Sequence, residues 1–159
     1  MITTSGKIGD EDLSYADVVA LVKNSVVEIT TNYVVSGTMF SQYVSSGAGS
    51  GVIFAQEDKV GYIVTNNHVI ADADVITVRL TNGNTYTALP VGADAASDIA
   101  VLWIDTEEQL LAAQLGCSRD LIVGETVFAI GNPLGELDYS LTFDPLTKQS
   151  AQPEQTEEA

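Results

Sequence analysis

Apolar, largely β-branched residues alternate with polar ones in short runs along most of this chain. The clearest run, SVVEITTNYVV at residues 25–35, has the period of two that places alternate side chains on opposite faces of a half-buried strand. Further strands are predicted at SGAGSGVIF, GYIVT, VITVRL, TYTALPVGA, DIAVLWI and ETVFAI, separated by turn sequences such as QEDKVG and TNGN. Many short strands at close spacing predict an all-β domain, either an antiparallel barrel or a sandwich.

Both ends of the chain depart from this pattern. SYADVVALVKNS has helical spacing and Ser14 as a candidate N-cap, so a short helix is predicted before the first strand. Residues 1–12 are polar, and we expect a flexible N-terminus there. From Asp138 the composition shifts toward Gln, Glu, Thr and Pro, which predicts a divergent, partly disordered tail over 138–159 in which YSLTF is a candidate edge strand. The folded domain is expected over 13–137.

Composition narrows the classes of partner. The 159 residues include 22 acidic and 6 basic side chains, and the net charge is −16 at pH 7. This charge disfavours nucleic acid and anionic membrane surfaces as partners. No apolar run is long enough to cross a membrane, and the first twenty residues do not have the pattern of a signal peptide. We therefore predict no membrane or targeting segment in this sequence.

One histidine and one cysteine limit the available chemistry. They cannot form a disulfide within the chain or complete the usual nitrogen and sulfur ligand sets of a metal, and the carboxylates match no calcium loop. No metal or other cofactor is therefore predicted. Cys117 is interpreted as a small, semi-buried residue rather than a nucleophile, and the acidic turns QEDK and DTEEQ are interpreted as solvated loops.

The histidine, His68, is the first candidate for chemistry. In GYIVTNNHVI it follows an apolar strand, in a polar turn of the kind that projects side chains from the end of a sheet. Thirty residues later, ASDIAVLWI places Asp98 at the start of another apolar strand. A carboxylate that accepts a hydrogen bond from Nδ1–H would fix the tautomer of the imidazole and leave Nε2 free to take a proton. Such a pair is half of an acyl-transfer apparatus.

Four segments together resemble the trypsin-like serine proteases of the HtrA/DegP type: SGAGSGVIF, GYIVTNNHVI, LTNGNTYTALPVGADAASDIAVLWI and VGETVFAIGNPLGEL. The resemblance runs from about residue 25 to residue 137. It implies a two-barrel fold, of which this chain contains the N-terminal six-stranded antiparallel barrel. It also implies that His68 is the general base and that Asp98 orients it, with Asp94 as the weaker alternative.

The third member of the triad is not found in this sequence. The family's nucleophile is the serine of a GNSGGP-type motif in the second barrel, and no such motif occurs here. Ser50 lies among glycines in GAGSGV, but the resemblance places it in an early strand of the first barrel. The same stretch is also a poor phosphate-binding loop, because no helix pattern follows it. Ser140 and Ser150 belong to the divergent tail and resemble no activated serine.

The resemblance implies a serine endopeptidase of protein quality control that cleaves unfolded polypeptide, here in a truncated form that we expect to be inactive without its serine. It further implies a homo-oligomer, either the family's trimer or a self-association through an exposed barrel face, and a location in the bacterial envelope or outside the cell. The alternative is a non-catalytic single barrel that binds peptide or protein along a sheet edge.

Overall fold

Six strands close into an antiparallel barrel that carries the candidate site at one end. The computed structural model describes residues 15–36, 42–124, 126–131 and 140–145. The α-helices are α1 (Tyr15–Val22) and α2 (Asn67–Ile70), and 3₁₀ turns cover Lys23–Ser25 and Ser118–Asp120. The strands are β1 (Val26–Ser36), β2 (Gln42–Glu57), β3 (Val60–Thr65), β4 (Val75–Arg79), β5 (Thr85–Asp94), β6 (Ile99–Asp105), β7 (Thr126–Gly131) and β8 (Ser140–Pro145).

The strand order decides between a barrel and a sandwich. Neighbouring strands pair in the order β1-β2-β3-β6-β5-β4, and β4 pairs back onto β1, for example through Ile29 and Val78. In the closed sheet, every strand pairs with a neighbouring strand on each of its two sides. The predicted six-stranded antiparallel barrel and the short helix before it are both confirmed. Ser14 and residues 1–12 lie outside the described residues.

The barrel interior is filled from alternate positions of each strand. In β3 and in β6 every second residue is buried, as the period of two predicts. Replacing one such side chain, for example Leu102, by alanine is expected to cost about 2–5 kcal/mol. The interior cluster consists of Val27, Ile29, Ile53, Ile63, Ile70, Ile76, Val78, Leu80, Ala88, Ala100, Leu102 and Ile104.

Three glycines at alternate positions of β2, Gly47, Gly49 and Gly51, explain the GAGSG stretch. Alternate residues of a strand share one face. A Cβ at Gly51 would lie 2.6 Å from Cγ2 of Ile63, and a Cβ at Gly49 would lie 2.6 Å from Cγ1 of Val69. Both distances are shorter than real Cβ contacts, so only glycine allows these neighbours to approach β2 so closely.

The last two strands form a sheet of their own. The predicted strand ETVFAI is β7, and it pairs with β8 rather than with the barrel. β8 contains most of YSLTF, the candidate edge strand, while residues 146–159 lie outside the described residues. Within the described part of the chain, no helix is long and apolar enough to span a membrane.

A histidine–aspartate pair as the candidate active site

The helix that carries His68 is anchored to the barrel at both of its ends. Just before it, Thr65 Oγ1 donates a hydrogen bond of 2.8 Å to the main-chain oxygen of Ser50 on β2. At its C-terminal end, Ile70 is buried in the barrel core. Because α2 is held at both ends, the main chain of His68 has a fixed position, which a residue on an unanchored loop would lack.

A second set of contacts holds the middle of α2. Val69 lies against Gly49 of β2, where a larger residue would displace it. The hydroxyl of Tyr33 donates to the main-chain oxygen of Val69 at 3.4 Å and accepts from Oγ1 of Thr31 at 3.1 Å. Gly49 and Tyr33 therefore fix the distance of α2 from the barrel, and with it the position of His68.

Asp98 lies in the turn between β5 and β6 with an unusual backbone conformation. Its φ is +54°, in the left-handed region that aspartate visits more readily than most residues other than glycine. This conformation is one that the surrounding structure must maintain. It belongs to the residue whose carboxylate faces α2.

The two predicted residues meet in a two-point contact. Oδ1 of Asp98 accepts the main-chain N–H of His68 at 2.8 Å, and Oδ2 lies 2.6 Å from Nδ1 of the ring. An ionised carboxylate only accepts hydrogen bonds, so Nδ1 carries a proton. Nε2 of the neutral ring is then the nitrogen with a free lone pair. Because the His68 side chain is 70% exposed, this nitrogen is open to an incoming group.

The same contacts keep Asp98 ionised. The hydrogen bond from the His68 main-chain N–H is the largest cause that lowers the pKa of Asp98, and the hydrogen bond from the ring is the next. Partial desolvation acts in the opposite direction but is outweighed. The arrangement therefore presents an imidazole with a fixed tautomer beside a carboxylate that can stabilise its protonated form, which is the chemistry of a general base.

One residue of this cluster was not predicted from the sequence. Nδ2 of Asn66 donates to the main-chain oxygen of Asp98 at 3.0 Å and to its Oδ2 at 3.3 Å. The available signal was the position of Asn66 directly before the helix, where asparagine is a preferred capping residue. That signal indicates a cap, but it does not reveal a partner thirty-two residues away.

The alternative residues have other surroundings. Asp94 accepts hydrogen bonds from the hydroxyl of Ser97 and the main-chain N–H of Ala96, so it organises its own turn. These bonds, from Ser97 first, lower the pKa of Asp94. Ser50 lies on β2 beside Gly131 of β7, where a Cβ in place of the glycine hydrogen would lie 3.3 Å from its Oγ.

The remaining sulfur and hydroxyl candidates gain no support. Cys117 is exposed at the start of the 3₁₀ turn Ser118–Asp120, so the expectation that it is semi-buried was wrong: residues 114–120 around it are all exposed. Only the backbone of Ser140 is described, within β8, and Ser150 lies outside the described residues. Across the described ranges, no three His, Cys, Asp or Glu side chains are grouped as a metal site would require.

Comparison with known proteins gives a consistent family. Residues 49–158 match the family model of the trypsin-like peptidase domain, which continues past Leu137 into the segment expected to diverge. A serine protease Do-like HtrA of Bacillus subtilis is 42% identical over 134 residues, 83% of this chain and 30% of that protein. The chloroplastic Protease Do-like 1 of Arabidopsis thaliana is 40% identical over 146 residues, 89% of this chain and 32% of that protein.

Solved structures agree with these relatives. The HtrA-type protease AlgW with a tripeptide superposes with a TM-score of 0.72 at 36% identity, covering 86% of this chain and 40% of that one. The same protease with a decapeptide gives a TM-score of 0.71 at 34% identity, covering 85% and 46%. The chain thus spans about a third of the length of these curated relatives and less than half of these solved chains. It belongs to the trypsin-like peptidase family, and within that family it is of the HtrA/DegP type.

Proposed function

We propose that this chain provides the general-base half of an HtrA-type serine endopeptidase. The observation that carries the proposal is the two-point contact of Asp98 with His68, through the main-chain N–H at 2.8 Å and Nδ1 at 2.6 Å. A hydrogen bond from the ring N–H to a carboxylate is by itself a common contact of histidine. A carboxylate that also fixes the backbone of the same histidine holds the imidazole in a single tautomer and direction, as a catalytic base requires.

In the proposed mechanism, Nε2 of His68 takes the proton of a serine hydroxyl as that oxygen attacks the scissile carbonyl carbon. The imidazolium then gives the proton to the leaving amine, while Asp98 stabilises its positive charge without becoming protonated. The 159 residues contain no GNSGGP-type segment, so in this proposal the serine belongs to a second barrel. Covering the pair with that barrel would exclude water and strengthen the coupling between two side chains that are 70% and 43% exposed here.

Unfolded polypeptide is the proposed substrate, and the bacterial envelope is the proposed location. Support for the substrate comes from similar solved chains of AlgW that are described with a tripeptide and a decapeptide. Support for the location comes from a relative in Pseudomonas fulva, named a probable periplasmic serine endoprotease, which is 45% identical over 101 residues. Assembly into a homo-oligomer belongs to the same proposal and is checked by light scattering of the purified chain.

A second candidate function, a non-catalytic barrel that binds peptide or protein, is favoured by one surface feature. Leu89, Val91 and Ile99 are large apolar side chains on β5 and β6 that are about half exposed. Exposed apolar groups of this size mark interaction surfaces when they are contiguous. In this alternative, the barrel would bind polypeptide without cleaving it.

A chimeric protease separates the two candidates. Residues 26–131 replace the corresponding first barrel of the Bacillus subtilis relative, and cleavage of unfolded casein is measured. We expect the chimera to cleave casein and the His68→Ala chimera to lose this activity, with unchanged folding by circular dichroism. Cleavage that survives His68→Ala would remove His68 from the mechanism. A folded but inactive chimera, together with casein binding to the 159-residue chain that His68→Ala does not alter, would favour the binding module.

A further inference from the structure

Asn66 occupies the N-cap position of α2 but does not cap it. Asparagine at this position ordinarily accepts a hydrogen bond from the main-chain N–H two or three residues on. Here the Asn66 side chain makes no such bond. The N–H two residues on is that of His68, and it is accepted by Oδ1 of Asp98 instead. The capping acceptor of α2 therefore comes from the turn between β5 and β6.

The Asn66 amide contacts Asp98 instead of the first turn of α2. Its Nδ2 donates to the main-chain oxygen of Asp98 at 3.0 Å and approaches Oδ2 of the same residue at 3.3 Å. One amide group thus contacts both the backbone and the carboxylate of a single residue. Such a pair of contacts restrains the side-chain torsions of Asp98 relative to its own main chain.

We propose that Asn66 is a positioning residue that holds the Asp98 carboxylate in the orientation that His68 requires. The need for a restraint follows from the backbone of Asp98, whose φ of +54° is sparsely populated by residues with a Cβ and persists only where neighbours maintain it. The carboxylate is also 43% exposed, so water competes for both oxygens. Asn66 supplies a donor that is tethered to the same helix as the histidine.

As a statement about catalysis, this inference rests on the proposed function. Oδ2 of Asp98 receives both Nδ1–H of His68 and Nδ2–H of Asn66. An oxygen that already accepts a second donor is a weaker base toward the first, so the ring proton stays on Nδ1. His68 can then take the serine proton at Nε2 without losing its own proton to Asp98.

The test uses the complete 159-residue chain and requires no activity. Because His68 is its only histidine, labelling histidine with ¹⁵N gives a single imidazole whose Nδ1–H signal needs no assignment by mutation. We expect Asn66→Ala to raise the exchange rate of this proton with water by about two- to tenfold at fixed pH, the effect of losing one hydrogen bond from the network. The adjacent Asn67→Ala is the matched control, since no hydrogen bond of the Asn67 side chain occurs in the described part of the chain, and it should leave the rate unchanged.

A second variant distinguishes positioning from simple loss of a side chain. Asn66→Asp keeps the shape but places a carboxylate against Asp98 and His68, the titratable groups that it would face. At neutral pH the new group cannot donate, so rapid exchange of Nδ1–H is expected. As the pH falls, two carboxyl groups at this distance share a proton, the donor returns, and exchange slows again relative to Asn66→Ala.

Two results would overturn the inference: wild-type exchange in folded Asn66→Ala, or wild-type exchange of Asn66→Asp at neutral pH. If Asn66→Ala does not fold, Asn66→Asp decides the question by itself. These outcomes are independent of the chimeric protease. If Asn66→Ala raises the Nδ1–H exchange rate but the chimeric protease is inactive, Asn66 remains a positioning residue. Only the proposed peptidase function is then rejected.

Discussion

β6 has a hydrogen-bonded carboxylate just beyond each of its ends, and the two differ in their partners. Before the strand, Asp98 accepts from the main chain and ring of His68 and from the Asn66 amide. After the strand, Glu108 accepts from the Tyr86 hydroxyl and from the side-chain amides of Asn82 and Asn84. Both acids have a lowered pKa, which for Glu108 is caused first by the hydrogen bond from Tyr86.

The difference between these carboxylates lies in what their donors can do next. Two amides do not ionise, and burial together with the bond to Glu108 raises the pKa of Tyr86, so the donors around Glu108 stay as they are near neutral pH. That network ties the β4–β5 turn to the segment after β6. The imidazole beside Asp98, in contrast, has a second nitrogen that can gain and release a proton. The carboxylate after the strand thus contacts only donors that keep their protons, whereas the carboxylate before it contacts a ring that can exchange a proton.

The largest effect is expected when each of the two acids is replaced in turn by its amide. In the chimeric protease, Asp98→Asn is expected to lower kcat by about 10⁴, because the amide no longer enforces the tautomer that the base needs. Glu108→Gln, the matched change at the other end of β6, should leave kcat within about twofold of the parent. Steady-state kinetics on one unfolded substrate measure both. Similar losses for the two variants would contradict the distinction.

A smaller effect is expected from disturbing only the His68 end of the barrel. Gly49→Ala places a Cβ 2.6 Å from Cγ1 of Val69, and this overpacking should cost about 1–3 kcal/mol of unfolding free energy while it displaces α2. Urea unfolding of the full chain measures the cost, and the His68 Nδ1–H signal reports the displacement.

Two companion variants make that result specific. Val69→Ala in the same chain should restore much of the lost stability, because it removes the methyl groups that the new Cβ meets. Gly92→Ala on β5 is the control, since a Cβ there has no heavy atom within 4 Å. An equal loss of stability in Gly92→Ala would show that backbone conformation, rather than contact with Val69, is responsible.

The smallest expected effect is on how the stability of the fold depends on pH, and it compares the two carboxylates directly. A carboxyl group whose pKa is lower in the folded than in the unfolded state stabilises the fold above its unfolded pKa, and this contribution is lost as the pH falls through the folded value. The stabilising contribution of Asp98 should therefore be lost progressively below about pH 3.8, and that of Glu108 below about pH 4.5. We expect Tyr86→Phe to remove much of the Glu108 pKa shift, because it deletes the largest cause.

His68→Ala should behave differently from Tyr86→Phe. It deletes the ring but keeps the main-chain N–H, which is the largest cause of the lowered pKa of Asp98. Much of that shift should therefore remain. Carboxyl-carbon NMR titrations of the two variants give both values. A pKa of Asp98 that returns to its ordinary range in His68→Ala would assign the shift to the ring instead.

Local patterns were sufficient for much of the fold. Seven of the eight strands were predicted from short apolar or alternating runs between turn sequences, and β8 only as a candidate edge strand, because burial of a strand leaves its pattern within a single segment. His68 and Asp98 were predictable from short motifs and a family resemblance. Glu108 was not: the turn DTEEQ was interpreted as solvated, yet this residue accepts three hydrogen bonds from side chains twenty-two to twenty-six positions earlier.

The sequence by itself thus determined the strands, the short first helix and the identity of the two candidate residues. Only the tertiary structure decided that β4 closes onto β1, that the cap of α2 is Asp98, and that Asn66 turns from capping to holding that carboxylate. The reason is physical. Alternation and helix capping are properties of neighbours along the chain, whereas these contacts join residues about thirty to fifty positions apart, whose meeting depends on the register of the closed barrel.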